Sequence, residues 1–144
     1  MAIRHDTTLA YVIGIALGDG NLSNSNGRAV RLRVTCDSRY QNISDEIVAA
    51  LKTIFPTNKV SIVPAPRPTY FNISVYSNKL SEIMPWKVGA GSKAFQQAHV
   101  PGWILKNKSY SKATLRGLIQ TDGSIYTDRG YKMINFTSVI KPLA

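Results

Sequence analysis

The chain has a single cysteine, Cys36, among its 144 residues. No internal disulfide framework can form, and a reducing compartment fits. With only 2 histidines beside that thiol, a zinc site of the Cys/His type is not expected. Acidic residues are scarce: 8 Asp and Glu stand against 18 Lys and Arg, for a net charge of +10 and a pI near 10.0. That imbalance favours a polyanionic partner, nucleic acid first and an anionic membrane second. Long hydrophobic runs are missing too. The longest, around Leu9 to Leu17, is too short to cross a bilayer and runs into Gly-Asp-Gly, not a signal-peptide cleavage site. There is no long basic amphipathic helix to lie on a membrane, and no low-complexity tract. The length is that of one domain able to bury a real core.

What the chain does contain is a repeat. Val12-Ile13-Gly14-Ile15-Ala16-Leu17-Gly18-Asp19-Gly20 returns, at one fixed offset, as Leu115-Arg116-Gly117-Leu118-Ile119-Gln120-Thr121-Asp122-Gly123. Small residues recur every fourth position, at Ala10, Gly14 and Gly18 and again at Ala113, Gly117 and Thr121. On a helix these share one face, and such a face lets another backbone come close. Each copy ends in Asp-Gly, where the glycine suits a left-handed exit from a helix. Packed small face to small face, the two helices would bring Asp19 and Asp122 together. Carboxylates ~4 Å apart repel by ~4 kcal/mol at an effective dielectric of ~20, about three pK units, and the negative end of each helix dipole adds to the discomfort. A divalent cation with hard oxygen ligands removes the conflict, and Mg²⁺ is the usual one where phosphate is the other ligand. One Asp-Gly alone reads as a solvated helix stop; two at a fixed offset read as a repeated device.

The other segments follow in order. Thr7 or Thr8 is expected to cap the first helix, which runs to about Gly18. Asn21 to Gly27 reads as a polar turn with an Asn-Gly hairpin signal. In the returning strand Val30, Leu32 and Val34 alternate inward while Arg31, Arg33 and Thr35 alternate outward. Arginines on an open sheet face can be plain solubility charges. Arg28, Arg31 and Arg33 beside a turn carrying Asn24 and Asn26 fit a major-groove ribbon better, since Arg reads guanine and Asn reads adenine. Asp37 or Ser38 is expected to cap a helix with apolar Ile43, Ile47, Leu51 and Ile54, ended by Pro56. A second hairpin pairs Lys59–Ile62 with Tyr70–Tyr76 around a proline-stiffened tip, Pro64 to Pro68. Val60, Ile62, Phe71, Ile73 and Val75 point inward. Lys59, Ser61, Asn72, Ser74 and Tyr76 continue the arginine surface. A short helix, Lys79 to Met84, stops at Pro85. Gly89-Ala90-Gly91-Ser92-Lys93 lacks the ending of a nucleotide-binding P-loop. Trp103 and Ile104 are expected in the core, and Ser109 or Ser111 opens the second repeated helix. Beyond Asp122, a turn at Asp128-Arg129-Gly130 leads into the strand Tyr131 to Val139, where Ile134 and Phe136 replace Leu32 and Val34 and Asn135 replaces Arg33.

The two nonamers resemble the signature of the LAGLIDADG homing endonucleases, and the hairpin and loop segments are similar too, over roughly residues 7–144. The resemblance implies an α+β fold: an αββαββ repeat used twice, paired motif helices at the interface, and a saddle-shaped antiparallel DNA-binding sheet. Residues 1–105 would form the first repeat and 106–144 the start of the second. It implies Asp19 and Asp122 as catalytic metal ligands, with Gly18 and Thr121 beside them. The cofactor would be Mg²⁺, with Mn²⁺ or Ca²⁺ able to substitute for binding. Lys93 stands where the family holds a basic residue that polarises an attacking water or the scissile phosphate. A lone loop lysine is otherwise simply solvated. Cys36 and Ser138 stand where relatives hold an active-site water, although a thiol is a weak donor and a small buried thiol can have no task at all. The double-stranded DNA target would meet Asn24, Asn26, Arg28, Arg31, Arg33, Lys59, Ser61, Arg67, Asn72 and Tyr76, then Arg129, Lys132 and Asn135.

The activity so implied is site-specific double-strand cleavage. The alternative is a catalytically degenerate DNA- or intron RNA-binding module of maturase type. The paired acids argue against it, because a pure phosphate binder gains nothing from central anions. Only residues 123–144 follow Asp122, so the second repeat is expected to lack its back helix and second hairpin. The pseudo-dimer within this chain would then be completed by further C-terminal residues or by another chain, or the chain would be the remnant of a decaying enzyme. No membrane partner is expected. The expected compartment is the cytoplasm, at the nucleoid, or an organellar matrix.

Overall fold

The computed structural model describes residues 3–24, 29–66, 69–128 and 131–136, with side chains through residue 121. The element order is α1 (Thr7–Asp19), β1 (Gly20–Ser23), β2 (Arg31–Asp37), α2 (Gln41–Ile54), β3 (Val60–Pro64) and β4 (Tyr70–Tyr76). There follow α3 (Leu80–Ile83), α4 (Gly102–Leu105), α5 (Lys108–Asp122), β5 (Gly123–Asp128) and β6 (Tyr131–Phe136). Four strands make one antiparallel sheet in the order β1-β2-β4-β3, and β5 pairs with β6 in a second. An αββαββ unit is thus followed, after two short helices, by a second αββ.

Helix α1 is the axis of the molecule. It is buried without a break from Leu9 to Leu17, as a helix apolar on all sides must be. One side packs on α5 and the rest on α2 and the sheet. The inward set of the sheet is as its alternation predicts: Val30, Leu32, Val34, Ile73 and Val75 are all buried. Each such side chain is worth roughly 1.5–3 kcal/mol of burial. The register of the second hairpin reproduces the first. Gly20 opposes Val34 and Asn21 opposes Arg33; Gly123 opposes Phe136 and Ser124 opposes Asn135.

Several local expectations are corrected. The cap of α1 is Asp6, whose carboxylate accepts from the Leu9 amide at 2.9 Å; Thr7 and Thr8 already lie in the first turn. The strand β1 begins directly at Gly20 where a polar turn was expected. Gly20 leaves the helix in an extended conformation, φ −78° and ψ 149°. Its glycine answers crowding, not handedness: a Cβ there would sit 2.6 Å from the Ala16 Cα. Neither Asp37 nor Ser38 caps α2. Tyr40 holds that position without a side-chain bond, because the Asp37 carboxylate is taken by Arg39 at 2.6 Å, which holds it below the usual carboxylate pKa. Ile62 faces the core side opposite Ile73 but is 59% exposed, since β3 is the sheet edge and the helices do not cover it. That edge position also tolerates Pro64 as a strand residue. Helix α5 opens at Lys108, with the Asn107 side chain, not Ser109 or Ser111, accepting from the Tyr110 amide at 3.1 Å. Ile104 is fully buried, whereas Trp103 is only half-buried, stacked on His5 at 4.2 Å and edge-on to Tyr110 at 5.4 Å.

Candidate active site

The repeated helices cross on their small faces. A Cβ added to Gly14 would collide with the Thr114 carbonyl. One added to Gly117 would lie 2.6 Å from the Tyr11 carbonyl oxygen and 2.7 Å from the Ile15 nitrogen. One added to Gly18 would overlap the Thr121 hydroxyl. The Thr114 hydroxyl, buried in the contact, donates to the Ala10 carbonyl at 2.8 Å. Side chains of ordinary size would hold these backbones farther apart, at the 8–10 Å axial separation usual for packed helices. Gly18 and Thr121 immediately precede Asp19 and Asp122, so the last close contact of the pair falls where each acid begins. Thr121 turns its hydroxyl back onto the Gly117 and Leu118 carbonyls, at 3.0 and 3.1 Å. The Asp19 side chain is exposed; that of Asp122 lies outside the described residues.

Lys93 reaches this point from a loop that its own sequence stiffens. Gly89 and Gly91 take positive φ, 76° and 101°, a region open to glycine at little cost. The Gln96 amide then staples the loop, donating to the Lys87 and Gly91 carbonyls at 2.9 and 2.8 Å and accepting from the Lys87 amide at 2.8 Å. The Lys93 ammonium is thereby delivered to the C-terminal end of α1. It donates to the carbonyls of Gly20 at 2.8 Å, Ala16 at 3.0 Å and Leu17 at 3.1 Å, with Gly18 at 3.5 Å. Trp86 flanks it, ring centre 5.2 Å away. An ammonium has three N–H donors, and three short bonds engage them. Its position also sets a cation at the negative end of the helix dipole.

Beside Asp19 opens a cleft of about 240 Å³ lined by Cys36, Asp37, Tyr40, Ser44, Gln120 and Thr121, among others. Cys36 is buried at its wall. Burial first, and the Asp19 carboxylate second, push its thiol up to about 11, so at neutral pH it is a protonated, weakly polar group. The polar lining of the cleft includes oxygens of Asp19, Asp37, Ser44 and Thr121, with apolar Val34, Ile43 and Ile47 and this thiol beside them. Among the described residues no three His, Cys, Asp or Glu side chains cluster as a self-sufficient metal cage. A hard cation sharing its shell with phosphate needs no such cage, only one or two carboxylates with carbonyl oxygens and water. The residues at the two helix ends fit that donor chemistry.

The open sheet face carries Asn21 and Ser23, Arg31, Arg33 and Thr35, Asn72, Ser74 and Tyr76, then Ser61. Cross-strand pairs knit it: Arg33 lies between Asn21 and Ser74, and Arg31 between Ser23 and Tyr76. The Thr35 hydroxyl donates to the Asn72 side-chain oxygen at 2.8 Å. Tyr76 is 52% exposed, Lys59 is exposed just before β3, and Asn24 is exposed just after β1. Two buried polar atoms on this face, the Ser23 hydroxyl and the Arg31 Nε, have no hydrogen-bond partner among the described residues, and they are cross-strand neighbours. Ser23 carries no alternation signal of its own, because Asn21 to Gly27 has the composition of a turn. Asn26, Arg28, Arg67, Arg129 and Ser138 lie outside the described residues, as do the side chains of Lys132 and Asn135.

Two crossed helices with glycine faces, acids at one shared end and a four-stranded antiparallel sheet alongside define the LAGLIDADG homing endonuclease fold, and comparison with solved structures shows that fold for this chain. The homing endonuclease I-DmoI in complex with DNA and Ca superposes with a TM-score of 0.55 at 22% identity, over 82% of this chain and 58% of that one. I-DmoI in complex with DNA and Mn gives 0.54 and 22%, over 82% and 63%. Mesophilic variants of I-DmoI give 0.55 and 21%, over 82% and 58%. The chain therefore spans about three fifths of the length of these relatives. No family model matches the sequence, and no curated protein matches it.

Proposed function

We propose that the chain is the DNA-recognising first repeat (1–105) and the opening of the second (106–144) of a site-specific double-strand DNA endonuclease of the homing type, working in a reducing cytoplasmic or organellar compartment. The observation that carries the reading is the contact of Gly18 with Thr121, one residue before each acid. Two helices that meet at their negative ends, each carrying an acid in its last turn, are costly to hold together unless that place serves a cation. Asp19 and Asp122, with main-chain oxygens at Gly18 and Thr121, would hold divalent metal, Mg²⁺ in the cell, with Mn²⁺ or Ca²⁺ able to take its place in binding. Divalent metal held by these residues would supply a lowered water pKa and charge neutralisation at the scissile phosphate.

The protein's own part is orientation. Lys93 keeps the end of α1 in place and adds a positive charge next to the position of the phosphate. The sheet face fixes register on the duplex. The run of Arg31 and Arg33 between Asn21 and Ser23 on one side and Ser74 and Tyr76 on the other supports this assignment, because such side chains can meet phosphates and base edges. Support also comes from I-DmoI, which the comparisons show with its target DNA and with Mn or Ca.

The test uses the purified chain, Mg²⁺ or Mn²⁺, and a supercoiled plasmid library of candidate targets. Linear product is expected from the wild type. Asp19→Asn and Asp122→Asn should each abolish cutting while DNA affinity stays within about tenfold, since most affinity comes from phosphate contacts elsewhere. Retardation of the plasmid without cutting would replace the nuclease reading with a binding module. Cutting by both Asn variants would remove the metal assignment.

A further inference from the structure

Three helices meet at one polar point beside the cleft. Gln120 of α5 accepts from the Tyr11 hydroxyl of α1 at 2.5 Å through Oε1. Through Nε2 it donates to Glu46 Oε1 of α2 at 3.0 Å. Glu46 is held in turn by Arg116, one turn back on α5, at 2.6 Å between Nη1 and Oε2 and 2.9 Å between Nη2 and Oε1. The Arg116 guanidinium also lies 5.8 Å from the Tyr11 ring centre. The amide has no freedom to turn over. Tyr11, desolvated by burial and next to Glu46, keeps its proton and donates; a carboxylate only accepts.

Small faces set how near two helices come but do little to fix rotation about their axes, because glycines offer no knobs to interlock. A tie placed off the contact line does fix it. Gln120 is such a tie, two residues before Asp122 and itself a wall of the cleft that Asp19 lines. Its counterpart in the first repeat is Leu17, which is fully buried and apolar. The two helix ends are therefore secured by different devices: Lys93 on the α1 end, and the Gln120 tie on the α5 end.

We propose that Tyr11, Gln120 and Glu46 form a strap of positioning residues that sets the rotation of α5, and with it the direction in which the last turn presents Asp122. The inference rests on the reading of Asp19 and Asp122 as metal ligands. Misplacement of a reacting group by ~1 Å can cost about 100-fold in rate, so a loosened strap is read in catalysis and metal loading before it is read in folding.

The experiment compares Gln120→Met, which keeps chain length but loses both bonds, with Glu46→Leu and Glu46→Gln. Gln120→Met and Glu46→Leu are expected to lower the single-turnover cleavage rate at least about tenfold and to raise the half-saturating Mn²⁺ concentration about fivefold or more. DNA binding in Ca²⁺ should stay within about threefold, and thermal unfolding confirms that each variant is folded. Glu46→Gln retains an acceptor for the Gln120 amide and is expected to recover most of the rate, which a general loss of charge or stability would not allow. A Gln120→Met protein that fails to fold leaves the Glu46 pair to decide. Wild-type rate and metal requirement in the folded Gln120→Met or Glu46→Leu variant would overturn the strap alone. A wild-type protein that neither cuts nor loads Mn²⁺ would overturn the metal reading and the strap with it.

Discussion

Replacing Lys93 by Met separates two jobs that a lysine at this place can perform. Its ammonium makes three bonds of 2.8–3.1 Å to the Gly20, Ala16 and Leu17 carbonyls and lies 5.2 Å from the Trp86 ring centre. A hydrogen bond to a charged group is worth ~1.5–3 kcal/mol, but one charge shared by three acceptors does not give three times that. A cation at a partly buried helix C-terminus contributes up to ~2 kcal/mol, and a half-buried cation over an indole adds ~0.5–1 kcal/mol. Methionine fills similar space yet leaves those carbonyls short of donors. The sum, discounted for overlap and for half exposure, is a loss of about 2–4 kcal/mol. For a chain of this size that lowers the unfolding midpoint by roughly 6–16 °C. Thermal and urea unfolding of Lys93→Met and Lys93→Arg measure it. Arg should recover only part of the loss, because its planar fork cannot gather three carbonyls at one helix end. A Lys93→Met protein melting within about 1 °C of wild type, a difference well under 1 kcal/mol, would refute this account and leave Lys93 with a purely catalytic task.

Two further outcomes follow from the same geometry. Gly117→Ala places a methyl 2.6 Å from the Tyr11 carbonyl oxygen, so it should destabilise the fold by about 1–3 kcal/mol through overpacking, read as a lower urea midpoint with unchanged m-value; an unchanged midpoint would mean that the helices are not in contact. Cys36, raised from 9.0 to about 11 by burial and by Asp19, should resist iodoacetamide in the native protein at pH 8 and react freely in urea. Because the folded thiol holds its proton more tightly than the unfolded one, its contribution to stability is complete below pH 9 and is lost as pH rises toward 11. Unfolding midpoints between pH 8 and 11 should therefore fall less steeply for Cys36→Ala than for wild type, and parallel curves would remove the assigned burial.

The legible parts of this protein are those written in short periods. A four-residue spacing of small side chains announces a helix face, and two copies of it announce a helix pair. Gly14, Gly18 and Gly117 prove to be contact points for that reason. A two-residue alternation announces the strands, and Leu32, Val34, Ile73 and Val75 are buried accordingly. The caps were less legible: Asp6 and Asn107 accept from amides three residues on, but neighbouring Thr and Ser residues carry the same local signal. Asp37 was a reasonable cap until Arg39 claimed it. Ser23 was hidden because a polar strand beginning straight after a helix has the composition of a turn.

By itself, then, the order of residues determined the repeated helices, their mutual attraction, the inward and outward sides of the strands, and the excess of positive charge, since each depends on neighbours at most a few positions apart or on bulk composition. Only the tertiary structure decided which partners meet across the chain: the Lys93 ammonium with the carbonyls ending α1, the Gln120 amide between Tyr11 and Glu46, the Thr35 hydroxyl with the Asn72 side-chain oxygen. Those pairings come from residues tens of positions apart, brought within hydrogen-bonding range by the close crossing of two helices and by the order of strands in a sheet, and no local pattern encodes that order.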